Sequence, residues 1–341
     1  RYGHTFLHDA VTQIDHESSA VITESGLVLP FDACLIAAGS ERTTFGIDGA
    51  DQNTLKLRLV DDAARIASRL DQLAARRRRA SVVIVGGGVS GIEAVGEILR
   101  RRDQGDEFNI HVIEREPRIL EQLPEGLASD AAQRFAPYPV TLHTDTAVSR
   151  VDARSVTLES GEKLTADLCI WSAGMALPGF LRDAGLNDDG DEWLPVDDAL
   201  LSRHAKNIFV AGDCAALPVP VRKQAYHAMA MGEVAGDNIS RFLRGRPLKR
   251  FRPLPMPMLV SFGDLTTWLV VGDYAVASPL LAAAKEGVYQ ATMARLASPQ
   301  EPLRYSADLF GRATMATRRL LLPQLTPRKV IAGLTGSRLI T

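Results

Sequence analysis

Apolar and polar residues alternate over Ala20–Glu24 (AVITE) and again over Ser155–Glu159 (SVTLE), the period of a half-buried strand, and a Ser-Gly turn follows in both places. Each turn leads into an apolar run without alternation, ACLIAAG from Ala33 and LCIWSAG from Leu168, which predicts a strand buried on both faces. Glu24, Gly26, Asp32, Cys34 and Gly39 recur as Glu159, Gly161, Asp167, Cys169 and Gly174, every pair 135 positions apart. Upstream, VTQID from Val11 matches VSRVD from Val148. The chain thus contains one unit twice: strand, turn, strand, buried strand.

A different pattern lies between the copies. From Asp61, DDAARIASRLDQLAARRRR places Ala, Ile and Leu at helical spacing and predicts a helix whose arginines occupy the last turn, opposing the dipole. The arginine run reads either as a nucleic-acid patch or as a solvated helix end that feeds the next strand; the second reading is adopted. SVVIVGGGVSGIEAVGEILRRR follows, with Gly86, Gly88 and Gly91 in a G-x-G-x-x-G frame between a strand and a helix. That context points to a dinucleotide pyrophosphate: Gly86 for the tight turn, Gly88 for close backbone approach, Gly91 for helix-on-strand packing, and the helix N-terminus for donors. The next strand, NIHVIERE, ends at Glu114, where an acid would hold the adenosine ribose hydroxyls. This favours NADH; Arg115 beside it could receive the 2′-phosphate of NADPH.

Composition narrows the classes. A net charge of −2 gives no reason to expect nucleic acid. Three cysteines without C-x-x-C spacing suit a reducing compartment and leave no disulfide framework and no Cys-rich zinc site, so no metal is expected. Cys34 and Cys169 occupy equivalent buried-strand positions and read as small core side chains. Cys214 has no cysteine nearby in sequence, against sulfide chemistry. No charged-then-apolar leader precedes the first strand and no apolar run reaches bilayer length, so neither a signal peptide nor a membrane span is predicted.

Beyond the second copy, NIFVAGDCAALPVPVRKQAYHAMAMGEVAGDNISRF gives a strand ending in Gly212 and Asp213, a proline loop and a long helix. With the AAG ending at Gly39 and the WSAG ending at Gly174, this order resembles the two-dinucleotide flavoprotein (pyridine nucleotide-disulfide oxidoreductase-like) family, in its branch of type II NADH dehydrogenases and apoptosis-inducing-factor-like oxidoreductases. The resemblance covers about residues 5–250. It implies an α/β protein of tandem Rossmann-like FAD and NAD(P)H domains, the second inserted in the first, plus a C-terminal α+β domain. The implied division is 1–52 and 173–250 for the flavin domain, 53–79 for a connecting helix, 80–172 for the NAD(P)H domain and 251–341 for a C-terminal interface domain. Gly174 lies 88 positions after Gly86, so an equivalent glycine turn for Gly39 is expected upstream of residue 1.

The resemblance also implies roles. Asp213 would bind the ribitol of FAD, and the following helix, with its N-terminal end near Val221 to Ala225, would turn its positive end, Ala225 included, to the flavin. Gln224 matches a glutamine lining a quinone site, with His227 beside it, although Ala228 and Met229 stand where a second glutamine belongs. Tyr226 and His227 read equally as packing residues. Glu93 matches an acid near the nicotinamide, or is a first-turn acid favoured by the helix dipole. The expected activity is hydride transfer from NADH to FAD and onward to a quinone or other small acceptor. The alternatives are a regulatory nucleotide-binding protein without flavin and a reductase of a ferredoxin-type carrier.

Past Phe251, a proline-rich linker leads to two strands around Asp264. Residues 304–341 hold seven Arg or Lys and one acid, Asp308. Leu309, Ala313, Ala316 and Leu320 share a helical face that excludes Arg312 and Arg319, which suits either an anionic membrane surface or a docking helix. A cytoplasmic protein peripheral to the inner face of the membrane, and a homodimer, are expected.

Overall fold

The computed structural model describes residues 4–76, 79–102, 107–253, 257–263, 265–278, 281–282, 284–285, 287–289 and 338–340. Its contacts fall into two compact units, Arg1–Thr43 with Met175–Leu254, and Thr44–Gly174 with Pro255–Thr341.

The first unit opens on an antiparallel meander of β1 (Val11–Asp15), β2 (Ala20–Thr23) and β3 (Val28–Pro30), followed by β4 (Cys34–Ile36). The Asp15 carboxylate accepts the main-chain N–H groups of Glu17 and Ser18, which shapes the first turn, and Gly26 at φ +84° makes the second.

The second unit continues with α1 (Ala50–Asn53), β5 (Leu55–Lys56), α2 (Val60–Ala74), β6 (Ala80–Val85), α3 (Val89–Arg102), β7 (Phe108–Ile113), α4 (Glu125–Phe135) and β8 (Val140–His143). The repeat returns as β9 (Val148–Asp152), β10 (Ser155–Leu158), β11 (Lys163–Thr165) and β12 (Leu168–Trp171). Five strands form one parallel sheet in the order β5-β12-β6-β7-β8. Val82 and Ile84 face a core built with Leu70 and Leu73 of α2, Ile92 and Val95 of α3, and Leu127 of α4; Val83 and Val85 face Val151, Val156 and Leu158 of the meander. Burial on both faces is why these strands carry no alternation.

Helix α2 buries Ile66, Leu70 and Leu73, and the Asp62 carboxylate takes the Leu59 N–H at 2.9 Å to close its start. It ends at Ala74 with no basic residue in its last turn, so Arg76 lies beyond the helix, contrary to the placement expected from the sequence; Arg77 and Arg78 lie outside the described residues. Packing like charges into one turn would have been repulsive.

The first unit resumes with α5 (Gly179–Arg182), β13 (Leu194–Pro195), β14 (Ile208–Val210), β15 (Ala215–Ala216) and α6 (Ala225–Phe242). β14 lies parallel to β4, and its Phe209 packs edge-on against Phe242 of α6. The fully buried Asn238 amide bonds Ala199 O, Lys249 O and Lys249 N–H, fixing the chain after α6.

The two repeat copies therefore occupy different sheets. β4 pairs with β14, whereas β12 lies between β5 and β6. Their turn glycines still match in backbone: Gly26 and Gly161 at φ +84° and +87°, Gly39 and Gly174 both at +69°. Each copy adds a short third meander strand, β3 and β11, that three residues could not announce by alternation.

The last sheet belongs to the second unit: β16 (Met258–Phe262), β17 (Thr266–Val271), β18 (Tyr274–Ser278) and β19 (Arg338–Ile340), antiparallel in that order. It has four strands where the sequence announced two. Asp264 and the face formed by Leu309, Ala313, Ala316 and Leu320 lie outside the described residues. α3 docks on β16 so closely that a Cβ on Gly96 would lie 2.4 Å from Gly263 N, and one on Gly263 would lie 2.2 Å from Gly96 O.

Strand pairing also sets two histidines together. His111 Nδ1 and His143 Nε2, on β7 and β8, are 3.1 Å apart, with Glu162 the nearby acid. Burial, then the neighbouring ring, holds His111 below its ordinary value of 6.5, while Glu162 opposes the shift. A depressed histidine stays neutral in the fold, so its contribution is complete above the unfolded value and declines as pH falls below about 6.5. Melting temperature is expected to drop as pH falls below about 6.5, and less steeply in His111→Gln, as read by calorimetry at a series of falling pH values.

Candidate functional site

In the second unit, the loop after β6 is held from three sides. Gly86 N–H donates to Ile113 O at 2.8 Å, Ser172 Oγ lies 3.0 Å from both Val85 O and Gly86 O, and Leu120 N–H donates to Gly87 O at 2.9 Å. Gly86 sits at φ +107°, where a Cβ would also come within 2.8 Å of Ala173 N. A Cβ on Gly91 would lie 1.9 Å from Gly86 O. Gly88 differs: a Cβ there meets nothing within 4 Å. Two glycines are demanded by the protein's own backbone, and one borders open space at the start of α3, where unbonded helix N–H groups favour an anion.

Glu114 closes this loop from the end of β7. Its carboxylate accepts Gly87 N–H at 2.7 Å and Glu116 N–H at 3.0 Å, so a strong acceptor is fixed beside the loop. Arg115 is largely exposed and paired with Glu116 at 3.1 Å. Gly174 follows β12 within the same unit. Glu93 lies on the face of α3 toward β16: its carboxylate accepts the Ser261 N–H at 2.9 Å and pairs with the Lys285 ammonium.

In the first unit, β14 runs into a 3₁₀ turn, Gly212–Cys214, with Gly212 at φ +80°. Beyond it lies a pocket of about 230 Å³ lined by Trp193, Gly212, Asp213, Lys223, Gln224 and His227 among others. Ala225 is the first residue of α6; Gln224 before it is extended, and its side chain does not cap the helix. His227 Nδ1 is 2.9 Å from Arg222 O, and since a carbonyl only accepts, Nδ1 carries the hydrogen. Gly39 and Ala38 direct main-chain N–H groups toward Cys214.

The structure thus brings Gly212, Asp213, Gln224 and His227 together at one pocket, with Ala225 heading the helix that borders it but not lining it, and Gly86, Gly88, Gly91 and Glu114 together at one loop. It sets Glu93 against Ser261 and Lys285. Sequence reasoning passed over Lys223 and Trp193. The Lys223 ammonium donates to the Asp213 carbonyl and sits 3.5 Å from the centre of the Trp193 ring. Burial lowers its pKa, with Asp213 acting in the opposite sense.

Burial pushes the thiols of Cys34 and Cys169 up to about 11 and about 12 and raises that of Cys214. None is poised as a thiolate. Among the described residues, Asp188, Asp191 and His204 form a group with metal-capable atoms within 4.8 Å of one another; both aspartates are exposed.

The parallel sheet, the glycine loop at the head of α3 and the acid ending the next strand have the form of a dinucleotide-binding α/β fold. The chain belongs to the pyridine nucleotide-disulphide oxidoreductase family, whose model matches residues 2–232. It is 25% identical over 276 residues to the type II NADH:quinone oxidoreductase of Haemophilus influenzae, covering 70% of this chain and 62% of that protein. It is 28% identical over 276 residues to the demethylphylloquinone reductase of Synechocystis sp., covering 76% and 67%. The chain spans less than two thirds of the Haemophilus protein's length. In fold it is similar to NDH2 from Plasmodium falciparum in complex with NADH, with a TM-score of 0.76, 16% identity, and coverage of 92% of this chain and 84% of that one.

Proposed function

We propose that the protein is a flavin-dependent NADH oxidoreductase that delivers electrons to a quinone-like acceptor. The observation that carries this reading is the contrast within the loop, where Gly91 has no room for a side chain and Gly88 borders empty space beside a helix N-terminus. The NADH pyrophosphate would lie over Gly88 on the α3 N–H groups. Glu114 would exchange its bond with Gly87 for the adenosine ribose hydroxyls, and its charge disfavours a 2′-phosphate, so NADH is preferred to NADPH.

FAD would be held in the first unit, with its ribitol on Asp213; Gly212 and Gly39, both in the left-handed region, keep the approaching chain free of side chains. When bound, the flavin supplies hydride acceptance from NADH and electron release to the acceptor. The protein binds, orients and sets charge. The uncapped start of α6 at Ala225 presents partial positive charge, and Arg222 O keeps the His227 proton on Nδ1. Gln224 and His227 line the same pocket as Asp213 and are proposed to face the acceptor beside the flavin. Glu93, fixed by Lys285, is proposed to stand near the nicotinamide. The choice of a quinone rests on the names of the Haemophilus and Synechocystis relatives. Peripheral membrane contact, a cytoplasmic location and a homodimer belong to the same proposal; no helix among the described residues is long and apolar enough to cross a membrane.

The test is a visible spectrum of the purified chain after exposure to FAD. Flavin absorbance that bleaches when NADH is added, and returns with a soluble quinone, is the expected result. A colourless protein that still binds NADH would overturn the flavin half of the reading. Return of colour with ferredoxin but not with quinone would replace the acceptor.

A further inference from the structure

Lys223 is half-buried, and an ammonium withdrawn from water is costly unless its three donors find partners. The structure supplies the Asp213 main-chain carbonyl and the face of Trp193, a neutral acceptor and a ring quadrupole. Trp193 comes from the loop before β13 and Lys223 from the proline loop before α6, so two separate elements converge to hold one charge at the pocket. The start of α6, two residues on, adds partial positive charge of the same sign with no side-chain cap to offset it. The carboxylates of Asp213 and Glu192 act on the ammonium with the opposite sign, and the positive charge that Lys223 and the helix start still bring to the pocket suits an occupant that acquires negative charge. Where the type II dehydrogenase pattern has AQ, this sequence reads KQ at Lys223 and Gln224.

We propose that Lys223 is a positioning cation that stabilises the negative charge acquired by the isoalloxazine on reduction, and so raises the reduction potential of the bound flavin. This rests on the flavin reading above. The balance is simple: hydride from NADH carries two electrons and one proton, leaves NAD⁺, and makes a neutral ring system one unit more negative. Trp193 and the Asp213 carbonyl fix the ammonium in place beforehand, so little reorganisation accompanies the change.

The experiment compares the full chain with Lys223→Arg and Lys223→Gln, each loaded with FAD. The readouts are flavin affinity by fluorescence, the midpoint potential against a reference dye, and the dissociation constant for sulfite, a nucleophile whose addition to the flavin also leaves a negative charge. Thermal melting of each variant without flavin reports its fold. Lys223→Gln is expected to weaken sulfite binding roughly tenfold and to shift the oxidised-to-reduced equilibrium by a similar factor, about 30 mV for a two-electron couple. Lys223→Arg should stay within about threefold of the parent, because it keeps the charge. An unchanged potential and sulfite affinity in a folded, flavin-loaded Lys223→Gln overturns the inference and leaves the flavin reading intact. Equal losses in both variants overturn it too, because they make Lys223 a packing residue on Trp193. Failure of the parent chain itself to take up FAD removes the flavin reading, and the inference falls with it.

Discussion

Gly91→Ala is expected to unfold the glycine loop after β6, and Gly88→Ala to leave the fold intact while weakening NADH binding. At Gly91 the new methyl would lie 1.9 Å from Gly86 O, a backbone atom that cannot swing aside, and 2.9 Å from Ser172 Oγ. Relief requires α3 to lift from β6, and the cost should be about 3 kcal/mol or more. For a unit of this size that corresponds to a fall in melting temperature of roughly 6–12 °C. At Gly88 the methyl projects into open space, so the melting temperature without nucleotide should move by less than about 2 °C. NADH affinity should nonetheless fall roughly tenfold or more, because the methyl occupies the approach to the helix N-terminus. Melting curves and NADH titrations of both variants check the pair. Equal melting losses would show that Gly88 serves the fold rather than a ligand.

The second large effect is expected where α4 meets the four-stranded sheet. The Asp130 carboxylate on α4 accepts the Trp268 indole N–H at 2.7 Å and the Arg134 Nε–H at 2.7 Å, and its side chain is only 8% exposed. Trp268 is fully buried and stacks on Phe262, so this carboxylate fastens the four-stranded sheet to α4. Asp130→Ala leaves the indole N–H without an acceptor inside the core. Breaking a buried ion pair typically costs about 3–5 kcal/mol. Arg134 is 29% exposed and can turn toward water, which places the loss near the lower figure. Asp130→Asn keeps an oxygen for the indole and should cost about 1–2 kcal/mol. Denaturant unfolding of the two variants gives the difference. If Ala and Asn were equivalent, the indole bond would contribute nothing.

These cases also mark what the sequence could convey. The glycine loop was legible because its spacing, the aliphatic strand before it and the helix after it are local and mutually consistent. The repeat was legible because glycines at matching φ must recur wherever the turn recurs, as Gly39 and Gly174 do. Asp213 was legible only in company, through its position after the second copy. Asp130 drew no reading from the sequence, since its partner Trp268 is 138 residues away. Glu93 likewise carried no mark of Lys285, 192 residues on. Lys223 stood in a proline loop where a charge suggests solvent; its burial follows from Trp193, which no periodicity connects to it. Local chemistry was readable, whereas partners brought together by the fold were not.

The contact between Gly96 and Gly263 has a mechanical meaning. Two main chains touching without side chains between them leave no soft layer to absorb displacement. The helix that begins at the glycine loop is therefore keyed to the carboxy-terminal strands like a shaft to its collar. A load applied to those strands would reach the loop as rotation of the helix rather than being lost in rotamer changes, and neither glycine can acquire a methyl group unless the joint opens.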